Sequence, residues 1–286
     1  MKENIARTDL ALENTEIIST TPPGVSVSSE EKDRVKITRI KITNNEGEKA
    51  IGKPKGTYIT AEVPRFTASS VLDRNTATLL SRELDLLLPK KRDLILVAGL
   101  GNTDITPDAL GPLVCEKILA TRHISKDLAH ELGLLELKSV AVISPGVLGK
   151  TGIETREIIA STVKSISPCA VIIIDALAAR NLSRLGCTVQ ISDSGICPGS
   201  GVGNSRAEIN EKFLGVPVIS LGVPTVVDAK TLVSDLTENS GEDCPDMIVT
   251  PKEIDMMINR ACELISASVN LCLQPSFSLD ELLGLI

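Results

Sequence analysis

Few folds accept the run Ala170-Val171-Ile172-Ile173-Ile174, which ends abruptly at Asp175. A strand with one wet face alternates apolar and polar residues. This run does not alternate, so both of its faces must be covered. "LILVA" at 94–98 reads the same way. From Asp93 onward the chain repeats strand, loop and helix. Strands are expected at Leu94–Ala98, Val140–Ile143, Val171–Ile174, Thr188–Ile191 and Val216–Leu221. Helices are expected near Leu113–Thr121, Glu154–Ile166, Val227–Leu236 and Lys252–Leu273. This pattern predicts an α/β fold, a mostly parallel sheet flanked by helices. Apolar residues make up 42% of the 286 and aromatics only 1%, so the core must be aliphatic and base-stacking platforms are not expected.

Ahead of that domain the chain reads differently. "TTPPGVSVSSEE" breaks the first 30 residues and suggests a linker arm over 10–30. "RVKITRIKIT" alternates, with a phase slip between Ile37 and Ile40 that suggests a bulge. "NNEGEK" reads as a turn and "GTYITAEV" as a second strand, together a β-hairpin addition over 31–66. Residues 67–286 form the α/β domain, beginning with helical spacing in "SSVLDRNTATLLSRELDLLL". The net charge of −7 argues against general nucleic-acid binding, which needs a Lys/Arg surplus. Seven widely spaced cysteines with no Cys-x-x-Cys pair suit reduced thiols, Cys115 among them in the core. No signal peptide or membrane-spanning run is expected.

Ligands of open parallel sheets bind beyond the carboxyl ends of the strands. That rule selects the loops "GLGNTDITPDALG", "SPGVLGKTGIET", "DALAAR", "SDSGICPGSGVGNSR" and "GVPTVVDA". Gly99, Gly101 and Asn102 in the first, with Gly199, Gly201 and Gly203 in the fourth, are candidates for close backbone approach to an extended ligand. The first loop starts like a dinucleotide-binding turn, but Asp104 stands where the third glycine belongs. A nucleotide-binding module is therefore one reading. Two carboxylates stand out: Asp175, expected at a strand end, and Asp108 in "TPDALGP". Either Thr106 caps a helix that holds Asp108 in its first turn, or Pro112 sets a later start with Gly111 as cap. Paired carboxylates can share one proton, and such a pair can activate water against an amide. The structural alternatives are a dipole-favoured acid at a helix start for Asp108 and a backbone-binding acid for Asp175. His123 and His130, the two histidines, belong to a helical segment away from these loops, which disfavours Ser-His or Cys-His chemistry. Zinc motifs are absent; a carboxylate-only site for a divalent metal stays open.

In this order, "RTDLALE", "GLGNTDITPDALGP", "SPGVLGKTGIET", "IIIDALAAR", "ISDSGICPGSGVGN" and "GVPTVVDA" resemble the germination protease of spore-forming bacteria. The resemblance implies an endopeptidase that degrades small acid-soluble spore proteins at germination, in the cytoplasmic compartment of the forespore and spore core. It implies a homotetramer made as a self-processing zymogen, with no membrane and no direct nucleic-acid partner. The implied cut follows an acidic residue and precedes a hydrophobic one followed by alanine. "Thr8-Asp9-Leu10-Ala11" fits, which makes residues 1–9 a propeptide cleaved between Asp9 and Leu10. The implied catalytic pair is Asp108 and Asp175, with acid and base roles unassigned. The implied fold is phosphorylase/hydrolase-like, as in hydrogenase maturation proteases. Those enzymes also use a histidine and a metal, for which this sequence offers no obvious counterpart, and a metal-dependent maturation protease is the second enzymatic reading.

Overall fold

The two apolar runs lie side by side in one sheet. The computed structural model describes residues 8–285 apart from 19, 132, 135, 204–205, 238–243 and 246. Among these residues nine strands join one sheet. They are β1 (Val25–Lys32), β2 (Val35–Ile42), β3 (Gly56–Glu62), β4 (Leu94–Gly99), β5 (Ser139–Ile143), β6 (Ala170–Ala179), β7 (Thr188–Ser192), β8 (Val218–Asp228) and β9 (Ile248–Val249). The order is β1-β2-β3-β7-β8-β6-β4-β5, with β9 paired to β8. β5, β4, β6 and β8 are parallel neighbours. β7, β3, β2 and β1 extend this core antiparallel. The α/β expectation, a large sheet flanked by helices, holds.

Helices cover the parallel core on both faces. The helices are α1 (Ala11–Glu16), α2 (Asn45–Ile51), α3 (Arg74–Leu87), α4 (Leu110–Glu116), α5 (Lys126–Glu131), α6 (Leu148–Thr151), α7 (Thr155–Ile166), α8 (Glu211–Leu214), α9 (Ala229–Leu236), α10 (Ile254–Leu273) and α11 (Leu279–Leu285). α3 and α10 cover one face. Leu80, Leu84, Ile258 and Ile265 pack there with Ile172 and Ile174. Ile159 and Val163 of α7 cover the other face, against Val171 and Ile173. Ile172, Ile173 and Ile174 are fully buried, each contributing about 1.5–3 kcal/mol relative to an exposed side chain. Arg39 of β2 joins Glu83 of α3 through two hydrogen bonds of 2.8 and 2.5 Å, which ties the antiparallel extension to the helical layer. Among the described residues no helix is long and apolar enough to cross a membrane. All seven cysteines are free, and Cys115 is buried.

Several local expectations are corrected. The run 10–30 is not plain linker: it carries α1 and most of β1, and Leu10, Ala11 and Leu12 are buried. "NNEGEK" is not a turn but opens α2, because Asn44 accepts the Gly47 N–H at 2.9 Å and caps it. β2 pairs β3 in unbroken register, so Ile37 and Ile40 are not separated by a bulge. Val35 and Ile37 face the main core, while Ile40 and Ile42 face α1 and α2 on the other side. The apolar phase changes because the covered face changes.

β6 and β8 are also longer than expected. Asp175 is not at a strand end, and "DALAA" and "GVPTVVD" are strand rather than loop. The two strands pair with each other from Val171↔Val218 to Ala179↔Val227, past the end of their neighbour β4. This mutual pairing holds small residues in strand where sequence patterning indicates a loop.

The β4 turn closes directly on α4. A Cβ at Gly99 would lie 2.2 Å from the Gly111 carbonyl oxygen. One at Gly111 would lie 2.2 Å from the Leu100 oxygen and 2.5 Å from the Ile174 oxygen. Gly111→Ala is therefore expected to lower unfolding free energy by about 1–3 kcal/mol. Gly149→Ala in α6, where a Cβ meets nothing within 4 Å, serves as the control and should be neutral or slightly stabilising. Urea unfolding measures both; equal midpoints would remove the close-contact explanation.

Candidate active site

The glycine turn positions Asp108. Gly101 adopts φ +119°, and a Cβ there would lie 1.9 Å from the Asp108 carbonyl oxygen. Only glycine lets these two backbones meet. The Asn102 N–H donates to that same oxygen at 3.0 Å. Residues Thr106–Asp108 form a 3-10 turn, and α4 follows from Leu110 with Pro112 in its first turn. Asp108 thus stands just before the helix. Its turn is also held to β8, since Thr225 Oγ1 donates to the Pro107 carbonyl at 2.8 Å.

Asp175 comes from the middle of β6 and is 6% exposed. Asp9, Asp108 and Asp175 line one cavity of about 270 Å³, together with Gly101, Gly199 and Arg206. Burial holds the Asp175 carboxyl well above the usual carboxylate range, the neighbouring Asp108 raises it further, and Asp9 adds to this. The Ala176 N–H, donating at 2.9 Å, opposes the shift. Burial also raises Asp108, against a backbone hydrogen bond from Asn102 and the charge of Arg206. The charge of Asp108 therefore disfavours ionising Asp175.

The N-terminal arm occupies this region. The Asp9 N–H donates to the Ala178 carbonyl at 2.9 Å, and the Ala178 N–H returns a bond to the Asp9 carboxylate at 2.8 Å. Ser200 Oγ donates to the other Asp9 oxygen at 2.5 Å. A Cβ at Gly201 would lie 2.5 Å from the Asp9 carboxylate, so this glycine admits the acid. Lys53 Nζ donates to the Thr8 carbonyl at 3.0 Å and lines a second cavity with Asp9 and Asp175. Burial lowers the pKa of Lys53, and the Asp9 charge counters that shift.

Beyond Asp9, Leu10 is fully buried against Leu177, Ala179, Leu185 and Val227. Ala11 is fully buried beside Ile40 and Tyr58. Glu13 fastens the segment: its carboxylate accepts from the Arg180 N–H at 2.7 Å and the Asn181 N–H at 2.9 Å, and the Thr8 hydroxyl bonds it as well. Arg184 then links Glu16 of α1 to Glu62 of β3, each at 2.5 Å.

Of the glycine-loop candidates, Gly101 and Gly199 line the cavity and Gly201 abuts Asp9. Gly99 packs against α4, Gly203 closes the 3-10 turn Ser200–Val202, and Asn102 shapes its own turn by accepting the Asp104 N–H at 3.1 Å. Gly99 and Gly101 face protein backbone, where a dinucleotide would need open space. His123 and His130 are exposed. Among the described residues no three His, Cys, Asp or Glu side chains gather in a group that could hold a metal ion.

Sequence reading missed Lys53, Ser200, Gln190 and Glu13. Ser200 was visible between two candidate glycines. Gln190 was visible as the polar residue between Val189 and Ile191 of a buried strand.

A family model described as germination protease matches residues 4–239. A germination protease from Caldanaerobacter subterraneus subsp. tengcongensis is 44% identical, with 96% of each chain covered. One from Clostridium tetani is 39% identical over 96% of this chain and 98% of its own. Among solved structures, a [NiFe] hydrogenase maturation protease HycI from Thermococcus kodakarensis KOD1 aligns with 65% of this chain and 98% of its own, at 17% identity and a TM-score of 0.39. On the family match and these germination protease relatives, the chain belongs to the germination protease family and is a peptidase.

Proposed function

We propose that this chain is an aspartate-dependent endopeptidase that begins the breakdown of small acid-soluble spore proteins at germination, in the spore core. It is made as a zymogen, a homotetramer by resemblance, and cuts itself between Asp9 and Leu10. One observation carries this reading: the segment Asp9-Leu10-Ala11 lies in the cleft beside Asp175 with each side chain in a site that suits it. The acid meets a hydroxyl and a backbone N–H. The leucine meets an aliphatic pocket. The alanine meets a wall that leaves it no exposed surface. Acidic, hydrophobic, alanine is the order expected of the substrate.

Roles for the pair follow from their surroundings. Asp175 is the more deeply buried and keeps the shared proton. Asp108, beside Arg206, ionises first. Asp108 therefore accepts a proton from the attacking water, and Asp175 donates one to the leaving nitrogen of Leu10. Latency follows from the same arm. Leu10 N–H donates to the Thr8 hydroxyl at 3.0 Å, and after the extended Leu10 the chain enters α1 at Ala11, so the arm is held by its own helix right after the bond. After the cut, the piece ending at Asp9 leaves the acid site. The new terminus at Leu10 must then vacate the leucine pocket before a substrate enters.

Incubating the purified full chain under mildly acidic conditions should yield a new terminus at Leu10. Asp108→Asn and Asp175→Asn should each slow its appearance by about 10²–10⁴-fold, read by N-terminal sequencing over time. Normal processing in both variants would overturn the pair. Rate should fall as pH rises through the elevated Asp175 value, because the donated proton is then gone. Asp9→Asn keeps the side-chain shape but loses charge-assisted bonds, and should slow processing about 10–150-fold; an unchanged rate would remove the acidic site.

The raised Asp175 pKa also has a sign for stability. Its contribution is full below the ordinary carboxylate pKa and is lost as pH rises through the raised value. Asp175→Asn should therefore melt above the wild type at neutral pH, with the gap closing in acid. Calorimetry at two pH values tests this, and a lower melting temperature at neutral pH would contradict it.

A further inference from the structure

Three neighbouring strands present one row of residues across the cleft. Gln190 of β7 pairs with Gly222 of β8, and Gly222 pairs with Asp175 of β6. Directly paired residues point to the same face, so Gln190 and Asp175 flank a position with no side chain. Leu177 fills part of that gap: a Cβ at Gly222 would lie 2.6 Å from its Cγ. The arm crosses here. Gln190 Nε2 donates to the Asp9 carbonyl at 3.0 Å, and Gln190 Oε1 accepts the Ala11 N–H at 2.8 Å. One amide thus brackets the Asp9–Leu10 bond, touching the carbonyl of one residue and the N–H two positions on. Gln190 is 8% exposed, and its two hydrogen bonds to the arm use both ends of its amide.

We propose that Gln190 is the carbonyl-polarising residue of the reaction, and that its Oε1 sets the register by holding the alanine N–H. This rests on the proposed cut between Asp9 and Leu10. A water oxygen bonds the Asp9 carbonyl carbon while its proton passes to Asp108. The carbonyl π pair moves onto oxygen, where the Gln190 N–H faces the new charge. The pair returns as the C–N bond breaks, and the Leu10 nitrogen takes the Asp175 proton. A preplaced donor of this kind stabilises charge that develops only in the transition state. The small residue required after the hydrophobic one follows too, since its N–H must reach Oε1 close to the sheet.

The test uses the full chain and its first-order self-processing rate. Gln190→Met keeps length and volume but removes both polar ends. It should slow processing about 10²–10³-fold, with an unchanged pH profile, while the two arm groups left unpaired lower the melting temperature. Gln190→Glu keeps the acceptor and loses the donor at neutral pH. Its rate should recover toward acid, where the carboxyl regains an O–H, so its optimum shifts downward in pH. The titratable groups lining that cavity are Asp9, Lys53, Tyr58, Asp175, Cys197 and Glu208. They are common to wild type and variant, and the shift is read between the two. A Gln190→Met rate within about threefold of wild type, while Asp175→Asn is inactive, would overturn this role and leave the proposed function standing. Faster processing would make Gln190 a clamp on the latent arm and overturn the role as well. Normal processing in the aspartate variants would instead sink the reading beneath it. If Gln190→Met fails to melt cooperatively, the Gln190→Glu pH profile decides: no acid recovery overturns the role.

Discussion

Asp175 sits between Ile174 and Ala176 on a strand packed inside the sheet, with the Ala176 N–H bonded to its carboxyl. A carboxylate in such a place is costly to ionise. Burial and the neighbouring acids Asp108 and Asp9 hold its pKa well above the usual carboxylate range. Asp108 is delivered to the same cavity by a turn that only glycine permits at Gly101. The arm then adds a third acid, Asp9, whose charge is taken up by the Ala178 N–H and Ser200.

Both side chains and backbone of the cleft hold the arm. Leu10 and Ala11 are buried as thoroughly as core residues, and Glu13 is fixed by two backbone N–H groups beyond the end of β6. An arm held in this way is part of the fold. Under the proposed function this would join stability to latency, since the interactions that hold the arm would be those that recognise a substrate. The extended β6–β8 pairing is what gives the arm a floor to lie on, since Ala178 offers both its N–H and its carbonyl to Asp9.

Much of this was legible beforehand. The unbroken apolar runs announced a sheet covered on both faces, because burial on two sides leaves no polar phase. The motifs around Asp108 and Asp175 singled out those two acids, and "TDLA" singled out the arm. Less visible was the length of β6 and β8. "DALAA" and "GVPTVVD" carry too little large apolar surface to read as strand, and only their pairing with each other makes them so. α2 was hidden behind Asn44, which serves turns and helix caps equally well. The phase slip in β2 recorded a change of covered face, and periodicity cannot separate that from a bulge.

By itself the sequence determined the layers of the fold, because hydrophobic periodicity is a local property of the chain. It also determined which acids to consider and where the arm would be cut if it were a substrate. The tertiary structure alone decided that the arm lies in the cleft, that Gly222 separates Gln190 from Asp175, and that Gln190 reaches Ala11 across 179 positions of chain. Such contacts arise from strand order and from hydrogen bonds between residues far apart in sequence. They leave no repeat or spacing in the string of residues that could announce them.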